Sequence, residues 1–121
     1  MTSKNNFHHK KLPNYSTLLC GKLPPNKIGF KSKELQIWYN NTNKPWVDKT
    51  PHYHKKSDEC FIVLKGSIVI EVGGKQTTIK EREFCYFPKG IIHSIIKVNA
   101  PVESFMIRSA SINDKVYIKK G

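Results

Sequence analysis

Pro51-His52-Tyr53-His54-Lys55-Lys56-Ser57-Asp58-Glu59-Cys60-Phe61-Ile62-Val63-Leu64-Lys65-Gly66 is the stretch on which the fold and the chemistry of this chain turn. In an extended strand successive side chains point to opposite faces, so His52 and His54 project from the same face and converge. Residues 55–58 form a polar group that predicts a turn, after which the strand opening at Glu59 doubles back alongside and delivers a carboxylate from a neighbouring strand. Farther along, Pro88-Lys89-Gly90-Ile91-Ile92-His93 predicts a tight turn and a third histidine at the opening of an apolar strand. Three neutral imidazoles and a carboxylate can hold a divalent transition ion and leave coordination positions open.

Outward from this stretch the pattern is one of strands and turns, with no helical period. Residues 15–20 predict a short strand broken by Gly21 and Pro24-Pro25, and residues 28–30 a brief edge strand. Residues 34–39 alternate, with Leu35, Ile37 and Tyr39 on one face. Residues 40–45 predict a loop that leaves Trp46, and with it Lys49, at the rim of a barrel mouth. The strand over 59–64 is expected to turn at Lys65-Gly66 and return over 67–72. Gly73-Gly74 predicts a two-residue hairpin leading into 76–80, because both glycines accept positive φ. A charged turn, Glu81-Arg82-Glu83, precedes a buried strand over 84–87. Asn99-Ala100-Pro101 predicts a break before a strand over 102–107, and residues 116–118 a last short strand. Short strands at close spacing with turn chemistry between them predict an all-β barrel or sandwich.

At its two motifs the sequence resembles the cupin superfamily. His52, His54, Glu59 and Gly66 stand at the spacing of the family's first motif, and Pro88, Gly90 and His93 at that of the second. The resemblance implies a double-stranded β-helix, or jelly-roll barrel, with a metal held by His52, His54, Glu59 and His93. Iron, manganese or zinc is the expected ion, with nickel or cobalt also chemically suited. The chain departs from the family at Trp46 and Arg82, where a glycine often opens each motif, and at Lys97, where an asparagine often closes the second. None of these is a ligand position.

With 121 residues the chain suffices for one domain with a real core. Residues 1–14 are expected to be a flexible basic arm and residues 15–121 a single barrel. The net charge is +12, of which residues 1–33 supply seven lysines and no acid. No arginine or regular aromatic interleaving accompanies those lysines, so the arm reads as a solvated end and nucleic acid is not an expected partner. No apolar run approaches a membrane span and the start has no secretory core. Cys20, Cys60 and Cys85 are odd in number and scattered, which suits reduced thiols in a cytoplasm, and Cys60 and Cys85 are expected to be buried.

An open metal position makes oxidation, isomerisation or decarboxylation of a small polar molecule available. The alternative is a module that binds a small sugar or acid without turning it over. Tyr39, Tyr86 and Lys97 are the candidate proton carriers. A homodimer is expected from the family resemblance, with residues 15–20 and 28–30 adding to a neighbour's sheet edge.

Overall fold

The computed structural model describes residues 7–22 and 28–118. Residues 1–6 of the expected arm and the Pro24-Pro25 break lie outside the described residues. The strands are β1 (Thr17–Gly21), β2 (Phe30–Lys31), β3 (Gln36–Thr42), β4 (Asp48–His54), β5 (Glu59–Val72), β6 (Lys75–Ile79), β7 (Phe84–Phe87), β8 (His93–Arg108) and β9 (Lys115–Tyr117). No helix among the described residues is long and apolar enough to cross a membrane.

The spine is the antiparallel pair of β5, 14 residues, and β8, 16 residues. The second half of β8 lies between β3 and the first half of β5, which pairs β7 on its other side. The first half of β8 lies between β4 and the second half of β5, which pairs β6. One sheet therefore runs β2-β1-β3-β8-β5-β7 and the other β9-β4-β8-β5-β6, with the two long strands crossing from one to the other. Phe61 and Val63 from the first sheet pack against Ile68, Ile70, Ile79, Ile95 and Val98 from the second, the two-layer arrangement that buries alternate residues of each strand. The jelly-roll expectation holds.

The joint between the sheets corrects two expectations. Lys65-Gly66 is not a hairpin turn and Asn99-Ala100-Pro101 is not a break, because β5 and β8 each run straight through as one bent strand. Lys65 pairs Glu103 and Ser67 pairs Asn99, so Ala100, Pro101 and Val102 oppose Gly66 alone. Gly66 takes φ 77°, and a Cβ there would lie 2.4 Å from the Pro101 carbonyl oxygen. The glycine thus serves a bulge and a close backbone approach. The hairpin expected at Gly73-Gly74 is present, with Val72 paired to Lys75.

Three further expectations change. β3 continues to Thr42, through Asn40 and Asn41, because pairing with β8 outweighs the turn preference of asparagine. Residues 84–87 are not buried on both faces: Phe87 is inside, whereas Phe84 is 73% and Tyr86 57% exposed. The inward face of β7 packs on the core through Phe87, while nothing among the described residues buries its outer face. Cys60 and Cys85 are half-buried. At Arg82 the backbone takes φ 66°, the left-handed region where the family often places glycine.

Candidate metal centre

His52 and His54 end β4, and His93, the first residue of β8, pairs with His52 across the ladder. Glu59 opens β5, but β5 does not pair β4. Residues 55–58 therefore do not fold one strand back beside the last, as expected from the sequence. They cross from one sheet to the other, and Glu59 meets the histidines from the opposite wall. Asp114 secures that crossing: its carboxylate accepts from Lys56 N–H at 3.0 Å and Ser57 Oγ at 2.7 Å, and its backbone carbonyl accepts from Lys55 N–H at 3.1 Å.

The four residues picked from the sequence come together. All are buried, and the ligating atoms of His52, His54 and His93 lie within 4.8 Å of one another. Glu59 Oε1 is 3.0 Å from His93 Nε2, and its Oε2 is 3.2 Å from His54 Nε2. Two donors bound at about 2.1 Å at right angles on one ion stand about 3.0 Å apart, so these separations suit a shared cation.

Hydrogen bonding decides which nitrogen of each ring is available. His52 Nδ1 lies 2.9 Å from the Thr50 carbonyl and His93 Nδ1 2.9 Å from the Ile91 carbonyl. A carbonyl can only accept, so both Nδ1 atoms carry hydrogen. His54 Nδ1 donates to Asp114 Oδ1 at 3.1 Å. Arg108 Nη1 is also 3.1 Å from that Nδ1, but with both atoms protonated the contact is two donors sharing Oδ1, which Nη1 reaches at 3.3 Å. In the neutral rings all three Nε2 atoms then present lone pairs, and His54 Nε2 is buried with no hydrogen-bond partner of its own. Lone pairs facing a carboxylate repel unless something positive lies between them, either protons or a metal ion.

The titration behaviour of the side chains expresses the same demand. Burial by itself would raise the Glu59 carboxyl, but the imidazoles of His54 and His93 beside it outweigh this and hold it at about 2. Burial lowers the His54 imidazole, and Glu59 and Asp114 reverse this to a net rise. His52, where burial is the largest influence, is lowered. The Phe87 ring stacks on His93 at 4.0 Å between centroids and closes the apolar side.

The cluster opens into a cavity of about 410 Å³ walled by Trp38, Asn40, Trp46, Phe61, Met106 and Arg108, with Asp48, Lys115 and Tyr117 on the histidine side. Trp46 is at this wall as expected, but Lys49 is exposed and does not line it. None of the candidate proton carriers does either. Tyr39 bonds Glu103 on the outer face, Tyr86 is exposed, and a bulge between Val69 and Ile70 breaks the parity that placed Lys97 beside His93, leaving it exposed. Asp48, Arg108, Asp114 and Lys115 were not found from the sequence. For Arg108 a signal was present, since Val102, Ser104, Met106 and Arg108 share one parity on β8; for Asp114, 60 residues from His54, there was none.

A model of the cupin domain matches residues 43–107. An uncharacterized protein of Aquifex aeolicus (strain VF5) is 38% identical over 47 residues, 39% of this chain and 39% of that protein. The chain spans about two-fifths of the length of the curated relatives it matches. Among solved structures, a Streptomyces PAC13 variant with uridine is similar with a TM-score of 0.64 at 13% identity, over 93% of this chain and 92% of that one. The DMSP lyase DddQ of Ruegeria pomeroyi aligns with a TM-score of 0.60 at 16% identity, over 84% of this chain and 49% of that one.

Proposed function

The chain belongs to the cupin domain family, and on that premise we propose that it is a metal-dependent enzyme acting on a small polar molecule, with His52, His54, Glu59 and His93 as the ligands. What carries the reading is the set of Nε2 lone pairs meeting a carboxylate on the floor of a cavity, each ring held by a hydrogen bond at its far nitrogen. Mixed imidazole and carboxylate donors suit iron, manganese or zinc. A bound ion of this kind supplies a Lewis-acid position that polarises a carbonyl or enediol oxygen. The chain's own residues shape what reaches it. Phe61, Met106 and the two tryptophans shed water from the cavity, and Asp48, Lys115 and Tyr117 are the ionisable groups at the histidine side. Oxidation, isomerisation and decarboxylation are the reactions this arrangement accommodates.

The named neighbours support a small-molecule site without choosing its use, one being a lyase and another having been crystallised with uridine. We also propose a homodimer. Exposed Phe84, Tyr86 and Leu64 on the outer side of β5 and β7 support it as an apolar face, while β1 pairs β3 on one side and β2 only at Cys20 and Gly21 on the other.

The test is elemental analysis of protein prepared without a histidine tag, alongside a His54→Ala variant, followed by a turnover screen of the loaded parent against keto acids and sugars. Near-stoichiometric metal in the parent and strong loss in the variant are expected. Equal content in both removes these ligands. Saturable binding of a screened compound without product would move the chain to the class of non-catalytic binders.

A further inference from the structure

We propose that the cleft between the edges of the two sheets, at β6 and β7, is a second binding site, separate from the metal centre, that takes a small uncharged aromatic molecule. Among the described residues β6 and β7 each pair β5 alone, β6 along its second half and β7 along its first, so they stand at the edges of opposite sheets. Between them lies a cavity of about 170 Å³ lined by Ile70, Val72, Thr77, Ile79, Cys85 and Phe87. Ile70, Ile79 and Phe87 are buried and make its floor, whereas Val72 and Thr77 are exposed and make its entrance. The Phe87 ring stacks on His93, so it stands between this cavity and the metal centre. Among the described residues the two cavities have no lining residue in common.

The lining decides what fits. None of its side chains carries a charge, since burial pushes the Cys85 thiol up to about 11 and keeps it neutral. Among these side chains a water molecule meets only the Thr77 hydroxyl and a weakly bonding thiol, short of the several partners that an ordered water needs. An apolar cavity of about 150 Å³ admits benzene, and a molecule of about seven non-hydrogen atoms matches this one. A flat ring gains over an alkyl group of the same size by meeting the Phe87 ring and the Cys85 sulfur. A charged group would give up its hydration here without a partner to replace it.

The full chain, with isotope-labelled isoleucine and methionine methyl groups, is titrated with toluene and with benzoate, which adds a charge to the same ring, and followed by NMR. Toluene is expected to shift the Ile70 and Ile79 methyls saturably, with a Kd on the order of 1 mM. Met106, on the wall of the metal cavity, should stay in place. Benzoate should bind at the two isoleucines at least about 10-fold more weakly. Thr77→Phe sets a ring in the entrance from an exposed strand position that tolerates it, and should weaken toluene at least about 10-fold. The proposal is overturned by the lack of a saturable shift at Ile70 and Ile79, or by a larger shift at Met106 than at either isoleucine. Benzoate binding there as tightly as toluene overturns it too, and so does parental toluene affinity in Thr77→Phe. If that variant does not fold, the two titrations of the parent decide the matter.

Discussion

His52 and His93 form one side of the centre and His54 the other, and the two sides are held in different ways. On the first side each Nδ1 donates to a backbone carbonyl two residues earlier in its own chain segment, Thr50 for one and Ile91 for the other. On the second, Nδ1 depends on Asp114, a side chain 60 residues away that also ties down the crossing between sheets and receives Arg108. A ring held by its own strand keeps its aim wherever that strand goes. One held from elsewhere keeps it only while the fold is assembled, which couples His54 to the path of residues 55–58 and to the charge on the cavity wall.

The strongest disruption is one that the two sides share. Gly66→Ala forces a side chain into the left-handed region and against the Pro101 carbonyl at the corner that sets the halves of β8 apart. A loss of about 3 kcal/mol or more is expected by urea denaturation, and a loss under about 0.5 kcal/mol would show that the corner is not rigid. Acid should act on a similar scale through Glu59, which touches both sides. Its folded pKa of about 2 lies below its ordinary value, so its contribution is present above pH 4.5 and disappears as the pH falls toward 2. Asp114 is lowered too: burial opposes that shift, and hydrogen bonds from Ser57, Lys56 N–H and His54 more than offset it, so its contribution is lost in the same direction. For Glu59 in the metal-free protein the full loss is on the order of 3 kcal/mol and is complete only below the folded pKa, so denaturation series at pH 5 and pH 3 should differ by about 2 kcal/mol from this group. A Glu59→Gln variant as acid-sensitive as the parent would refute the assignment.

Asp114→Ala tests the remote side alone. Metal affinity should fall by about 10- to 100-fold, as for other ligand-supporting carboxylates, in a competition titration with a chromophoric chelator. Unchanged affinity would mean that His54 needs no distant support. Thr50→Ala is the counterpart on the local side, and the smallest effect. The acceptor there is a backbone carbonyl that the substitution leaves in place, and the side chain is exposed, so affinity within about 2-fold and stability within about 0.5 kcal/mol of the parent are expected. A large drop in affinity would place the support for His52 in the side chain instead.

The same division explains which parts of the site could be found in advance. His52 and His54 were visible because a period of two places them on one face, and His93 because a turn sets it at a strand opening. Glu59 was picked as a candidate ligand but assigned to an adjacent strand, since a polar run of four residues looks the same whether it closes a hairpin or crosses between sheets. The turns at Lys65-Gly66 and Asn99-Ala100-Pro101 misled for a related reason. Glycine and proline mark a departure from regular pairing, and a bulge at a sheet corner departs as much as a chain reversal does.

By itself the sequence determined the strand-rich class, the Gly73-Gly74 hairpin and the identity of four converging donors, because each follows from local stereochemistry or from the resemblance its motifs carry. Only the tertiary structure decided that Glu59 faces the histidines from the other sheet and that Asp114 orients His54. Those relations join residues far apart along the chain, and one bulge, as at Ile96 opposite Val69 and Ile70, is enough to reverse which side chains share a face.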